Sequence, residues 1–302
     1  MRRGASIFLA VIFCLSLLIG QRGVFAAAGP EWPISPVEVN VNGEFIALDV
    51  SPIEDNNRLY LPIRALASLG LSYSWNAASK ITTIQNKNGE YLKLSVNSKM
   101  AYKNEQAIEM ETPVKNKAGR VLVPVRFFTE SLGYNVQYES IRNIVFITSK
   151  DYKFDAKLLE QEDLQAARKA AISLPVTSNF KTLGFKTYKD HQYTFPGGKA
   201  TTYIFHDGYT TSVVEIMDGK AVLAGQFVTH PRGGEAIYWV GSVTEYNDPA
   251  LKPFPDFYAK FSKQDNVIST FYYENGSEKG SFKSSAATQV YSDMIQNVPD
   301  NI

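Results

Sequence analysis

Residues 58–84 read Arg58-Leu-Tyr-Leu-Pro62-Ile-Arg64-Ala-Leu66-Ala-Ser-Leu69-Gly70-Leu-Ser-Tyr-Ser-Trp75, then Lys80-Ile-Thr-Thr-Ile84. Residues 120–147 read Arg120-Val-Leu-Val-Pro124-Val-Arg126-Phe-Phe128-Thr-Glu-Ser-Leu132-Gly133-Tyr-Asn-Val-Gln-Tyr138, then Arg142-Asn-Ile-Val-Phe-Ile147. The Pro-x-Arg pairs lie 62 residues apart and the glycines 63 apart, so the second copy carries one extra helical residue. Upstream, Val41-Asn42-Gly43 with Pro52 is echoed by Lys103-Asn104-Glu105 with Pro113. Self-similarity at a fixed period marks a repeated structural unit.

Each copy predicts a strand, a short helix, a strand and a strand. Leu59-Tyr60-Leu61 extends into Pro62, and proline disfavours helix in the residue before it while suiting a first helical turn. Ile63, Leu66 and Ala67 then make an inward stripe, repeated by Val125, Phe128 and Leu132. Gly70 and Gly133 stand where a left-handed helix cap belongs. Alternating residues follow (Leu71, Tyr73, Trp75; Tyr134, Val136, Tyr138), then the β-branched runs Ile81–Ile84 and Ile144–Ile147. A unit this small hides its apolar face best against its twin. Residues 36–150 therefore read as one duplicated α+β domain.

The doubled pattern of Leu/Val-Pro-Ile/Val-Arg, Ser-Leu-Gly-Leu/Tyr, an aromatic and a β-branched run, preceded by a Val-Asn-Gly strand, resembles the copper amine oxidase N-terminal-like domain, also called the stalk domain. The resemblance covers about 115 residues, well under half of the chain. It implies a scaffold or adhesion module of a secreted or cell-wall protein of Gram-positive bacteria. It does not imply oxidase activity. The catalytic portion of that family needs three copper-binding histidines, two as His-x-His, and a tyrosine in Asn-Tyr-Asp/Glu that becomes the quinone. Here His191, His206 and His230 are the only histidines, none so paired, and the nearest tyrosine context is Tyr246-Asn247-Asp248.

The N-terminus predicts export. Met1-Arg2-Arg3 precedes an apolar run from Ala5 to Gly20 and the small residues Ala26-Ala27-Ala28, the layout of a secretory signal peptide over residues 1–28. The competing reading is an uncleaved signal anchor, the only expected contact with a membrane. Cleavage removes Arg2, Arg3 and Arg22, leaving 28 basic against 30 acidic side chains, and removes Cys14, the one cysteine. No disulfide, thiolate nucleophile or cysteine zinc site is then available. The near-neutral balance also lacks the basic excess that a nucleic-acid binder needs.

Residues 151–302 predict a helix followed by an antiparallel β meander. Asp155 is a candidate helix cap, and Leu164, Ala167, Ala171 and Leu174 recur on one face before Pro175. The Glu160–Asp163 cluster and Arg168-Lys169 read as a solvated helical face. Strand-like runs at Tyr193–Phe195, Ala200–His206, Thr210–Met217, Ala221–Thr229, Ala236–Tyr246 and Val267–Glu274 are split by turns such as Asp218-Gly219 and Asn275-Gly276. About five or six strands are expected, with the 157–173 helix packed on one face. Phe254-Pro-Asp-Phe257-Tyr258 with Phe261 reads as a loop or short helix at the sheet's edge, and Ala286–Ile295 as a last helix. This half resembles no family recognised from its motifs.

Candidate chemistry is sparse. The histidines are spread over 39 residues without ligand spacing, and His206-Asp207-Gly208 reads as turn chemistry. Glu215, Glu235 and Glu245 offer carboxylates for a glycosidase pair, but nothing in their spacing selects two. No nucleophile elbow, phosphate loop, dinucleotide fingerprint or His-Glu-x-x-His occurs. No catalytic, cofactor or metal residue is therefore assigned. Arg64 and Arg126 are either paired anion sites at helix starts or structural ties for nearby carbonyls and carboxylates, the latter preferred. Tyr203, Phe205, Trp239 and Tyr272 are candidate sugar platforms if exposed and core if covered. The expected function is a secreted, non-catalytic surface module that binds a cell-wall polymer or another secreted protein. The alternatives are a hydrolase of wall polysaccharide or peptide, and an inhibitor or regulator of another secreted protein.

Overall fold

Pro62 and Pro124 each end a strand and open a helix, as proline's fixed φ and its effect on the preceding residue require. The computed structural model describes residues 37–184, 191–229, 236–242, 257–264, 267–285 and 291–299. Residues 1–28, expected from sequence to be a signal peptide, and His230, Glu235, Glu245, Tyr246 and Phe254 lie outside them. In chain order the first half holds β1 (Glu38–Val41), β2 (Glu44–Phe45), β3 (Ile53–Asp55), β4 (Arg58–Pro62), the 3₁₀ helix η1 (Ile63–Leu69), β5 (Ser72–Asn76) and β6 (Ile81–Gln85). It continues with β7 (Tyr91–Ser95), β8 (Met100–Lys103), β9 (Gln106–Glu109), β10 (Lys115–Lys117), β11 (Arg120–Pro124), helix α1 (Val125–Leu132), β12 (Asn135–Glu139) and β13 (Ile144–Thr148).

Both helices end on a left-handed glycine, Gly70 at φ 74° and Gly133 at φ 77°, a conformation a Cβ would strain. The helices differ in pitch. In η1 the buried row is Ile63, Leu66 and Leu69, because a 3₁₀ helix repeats every three residues; Ala67, expected inward, is exposed. The extra residue of α1 allows α-helical spacing, and Val125, Phe128, Thr129 and Leu132 face in.

Three sheets surround this core. Their orders are β12-β13-β1-β2, with β1 and β13 parallel, then β10-β11-β4-β3 and β5-β6-β7-β8-β9. In the middle sheet the strand before η1 meets the strand before α1 antiparallel, with Leu61 opposite Val123, Tyr60 opposite Pro124 and Pro62 opposite Leu122. Side chains from all three sheets and both helices form one cluster, including Val39, Leu61, Leu66, Leu92, Val123, Phe128 and Val145.

The second half adds the 3₁₀ helix η2 (Ala156–Leu159), helix α2 (Leu164–Ile172), β14 (Val176–Thr177), β15 (His191–Pro196), β16 (Thr202–His206), β17 (Thr210–Met217) and β18 (Lys220–Thr229). Beyond these lie β19 (Ala236–Gly241), β20 (Phe257–Gln264), β21 (Val267–Glu274), β22 (Ser277–Ser285) and the 3₁₀ helix η3 (Tyr291–Met294). The single helix expected over 157–173 is two. The Asp155 carboxylate accepts from Lys157 N to start η2, and that of Asp163 accepts from Ala166 N to start α2, so each acid opens its own segment. Arg168 is not solvated: it is 1% exposed, donates to the Pro196 and Lys199 carbonyls and lies over the Phe195 and Phe261 rings.

The sheet has nine strands in the order β14-β18-β17-β16-β15-β20-β21-β22, with β19 also on β18. Two strands absent from the sequence reading account for much of the difference. Phe257–Gln264, expected as an edge loop or helix, is a strand between β15 and β21, with Ala259, Phe261 and Lys263 buried in alternation. The sheet's far edge, β22, is exposed along most of its length and so carries no apolar period. Asp218-Gly219 and Asn275-Gly276 make tight hairpins, both residues of each at positive φ. Of the last helix expected over Ala286–Ile295, residues 286–290 lie outside the described residues; Tyr291–Met294 form η3, whose Met294 is fully buried, as is the following Ile295. The class is α+β, mostly antiparallel sheet. Among the described residues no helix is long and apolar enough to cross a membrane.

Candidate functional site

The six residues singled out from sequence do not converge. Tyr203 and Phe205 are fully buried and pack on Tyr193 and Phe195, so they are core and no ligand platform. Burial pushes the Tyr203 hydroxyl pKa far above its usual value and that of Tyr193 to about 12. Trp239 is 39% exposed on β19, and Tyr272 is half-buried on β21 against Gly280. Five strands separate β19 from β21, roughly 29 Å at ordinary strand spacing, so the two rings do not form one surface. Arg64 stands 3.6 Å from Asp49, whose carboxylate also accepts from Arg120 at 2.5 Å. Those guanidinia, Arg120 first, hold the Asp49 pKa below its usual value.

Arg126 differs from Arg64. It projects from the first turn of α1 into a cleft of about 530 Å³ and makes no ion pair with a described residue. The floor is apolar: Val125, Met110 and Val145 are buried, while Leu59, Phe127 and Val136 are half-buried. The rim is charged and exposed. Glu130, one turn beyond Arg126, shares its helix face. β3 contributes Glu54, the end of β9 Glu109 and the segment after it Glu111, and Arg58 donates to Glu111 at 2.7 Å. Tyr138, 57% exposed, closes one side and donates its hydroxyl to Asn143 Oδ1 at 2.7 Å. Burial, then Glu54 and Glu139, push its pKa up. Four carboxylates against two guanidinia make the lining acidic. The volume and the apolar floor with a polar rim are those of a ligand pocket.

Sequence reading found Arg126 but missed Glu54, Glu109, Glu130 and Tyr138 as its companions. Glu130 was legible, since i, i+4 spacing puts it beside Arg126. The rest come from strands joined only by the fold.

A second concentration of polar groups is buried between the halves. Arg142 and Glu139 are both under 5% exposed, beside Tyr193, Tyr203 and His191. His206 Nδ1 lies 3.0 Å from Thr211 Oγ1, and Asp207 Oδ1 accepts from Tyr209 N and Thr210 N, the turn chemistry expected. Among the described residues no group of three His, Cys, Asp or Glu is placed to hold a metal.

Burial raises the Asp207 pKa to about 6 from 3.8. The folded state then holds a proton that the unfolded state has released, so this group's contribution to stability is lost as pH rises from about 4 to 6. Asp207→Asn keeps the acceptor for both amides and is expected to stabilise the protein by about 2–3 kcal/mol at pH 7, with little effect at pH 4. Urea unfolding at the two pH values tests it; an equal change at both would refute the assignment.

Residues 40–147 match the family model of the copper amine oxidase N-terminal domain. The match covers just over a third of the chain and includes every cleft residue except Val37. No curated protein matches the chain.

Proposed function

We propose that the chain is a secreted, non-catalytic envelope module built on a duplicated stalk domain, which docks a segment of another surface protein in the Arg126 cleft. Export is read from the signal-like residues 1–28. The duplication is supported by reciprocal ties: Arg58 of the first copy pairs with Glu111 of the second, and Arg120 of the second with Asp49 of the first. Asn42-Gly43 and Asn104-Glu105 make equivalent positive-φ turns, and Lys87 and Lys150 lie over Gly70 and Gly133. Leu61 and Val123, equivalent residues, face each other where a two-fold axis between the copies would pass.

The observation that carries the binding role is the asymmetry of the two arginines. Arg64 is held by Asp49, whereas Arg126, in its cleft, makes no ion pair with a described residue. The excess of carboxylates around it disfavours a phosphate-rich polymer and favours a polypeptide carrying both basic and acidic side chains on an apolar stretch. The chain from Gly29 is expected to be retained by purified walls that still carry their proteins, and Arg126→Glu to lower retention at least tenfold. Retention by protease-stripped walls would replace the protein partner with the polymer, and no retention by either would defeat the reading.

The four carboxylates favour one alternative, hydrolysis of wall polysaccharide, in which two would flank a glycosidic bond roughly 5–10 Å apart. Release of reducing sugar from walls, abolished by Glu130→Gln, would establish that reading instead.

A further inference from the structure

Strand β5 lies at the end of its five-stranded sheet, and all five of its residues are exposed. Its sequence, Ser72-Tyr73-Ser74-Trp75-Asn76, alternates polar and aromatic residues and contains no charge, proline or glycine. The opposite edge of the same sheet, β9, carries Glu109. Edge strands elsewhere are charged too: β2 has Glu44, β3 has Glu54 and Asp55, β10 has Lys115 and Lys117, β12 has Glu139 and β22 has Glu278, Lys279 and Lys283. The exceptions are the two-residue β14 and β19, which borders segments outside the described residues. Charges on edges block strand addition, and β5 lacks that protection.

Tyr73 and Trp75 are 42% and 45% exposed, yet they lie on the core-facing side of the sheet. They stand opposite Ile84 and Thr82, both 1% exposed. The two rings thus extend the apolar face one strand beyond the cover that the domain supplies. We propose that β5 is a homodimer seam: two copies of the chain pair antiparallel through β5, joining their five-stranded sheets into one. The occupant is a second copy because the strand is complementary to itself. A two-fold axis through Ser74 sets Tyr73 of each copy opposite Trp75 of the other, and Ser72 opposite Asn76. No like charges are brought together. Trp75's counterpart in the sequence repeat, Tyr138, is on an edge strand whose Glu139 is already committed to Arg142, so the second copy offers no equivalent seam.

Sedimentation equilibrium of the chain from Gly29, which retains every described residue, tests this. A concentration-dependent dimer is expected. Ser74→Lys places two ammonium groups on the axis and is expected to weaken the dimer at least tenfold. Ser74 is exposed, so the variant should keep the parent's circular dichroism spectrum and cooperative unfolding, and Trp75→Ser provides a second variant expected to act in the same direction. A monomer at all concentrations, or a dimer that both variants leave intact, would overturn the proposal. The cleft reading is unaffected by either outcome, since no β5 residue lines the cleft.

Discussion

Arg142→Ala is expected to destabilise the protein by about 3–5 kcal/mol, the cost of stranding one partner of a buried ion pair. Arg142 follows β12, is fully buried, and is tied on every side. Its Nε donates to Glu139 Oε1 at 2.9 Å and its Nη2 to Glu139 Oε2. Its Nη1 and Nη2 reach the Ile172 and Leu174 carbonyls, each at 2.7 Å, across the end of α2. Glu139 in turn accepts from Val176 N at 2.9 Å. The Glu139 charge beside it holds the guanidinium pKa well above its usual value despite burial. Truncation would leave a carboxylate that is 4% exposed and two α2-end carbonyls without partners. Arg142→Lys keeps the charge but not the fork and should recover only part of the loss. In the Glu139→Ala, Arg142→Ala double variant the cost should fall well short of the sum of the singles. Denaturant titration followed by circular dichroism gives these numbers, and a loss under about 1 kcal/mol for Arg142→Ala would place the pair among ordinary surface bridges.

The second large effect is on acid stability. His191 is 1% exposed at the start of β15, paired in register with Lys263 of β20 and edge-on to Phe205. Desolvation, then the Lys263 and Arg142 charges, lower its pKa to about 3. The unfolded chain takes up a proton below about pH 6.5 while the folded chain does not until about pH 3. Stability from keeping this ring neutral is therefore present above pH 6.5 and lost as pH falls, by about 1.4 kcal/mol per unit in that window. Asp207 acts in the opposite direction between pH 4 and 6. The parent protein should thus show a shallow dependence there, His191→Gln a stability that gains toward acid relative to the parent, and Asp207→Asn a steeper acid loss. Denaturant midpoints of the three chains from pH 4 to 7 are the measurement, and parallel curves would show that neither group is titrating as stated.

Both predictions concern residues that a linear reading treats blandly. Arg142 stands in the sequence as the opening of a β-branched run, and His191 as one of three scattered histidines. What makes them consequential is closure: the turn after β12 comes to lie against the end of α2, and β15 comes to lie between β16 and β20. Arg168 departs from its sequence expectation for the same reason. Its acidic and basic neighbours describe a solvated helix face, but two aromatic rings from β15 and β20 arrive from outside its local window to cover it. The cleft mixes the two cases. Arg126 and Glu130 share a helix face by spacing alone, whereas Glu54, Glu109 and Tyr138 reach it through strand pairings many residues apart.

Short-range chemistry decided the prolines that end β4 and β11, the left-handed glycines after both short helices and the Asp-Gly and Asn-Gly hairpins. Each depends on backbone torsions or on neighbours a few residues away. The one-residue offset between the two Pro-x-Arg stretches agrees with a longer second helix, although only the fold made one 3₁₀ and the other α. Tertiary structure alone decided which aromatics are core, which strands the nine-stranded sheet contains, and which of two matching arginines has no ion pair among the described residues. Burial and charge pairing depend on which surfaces meet, and a sequence period constrains only the face each element presents.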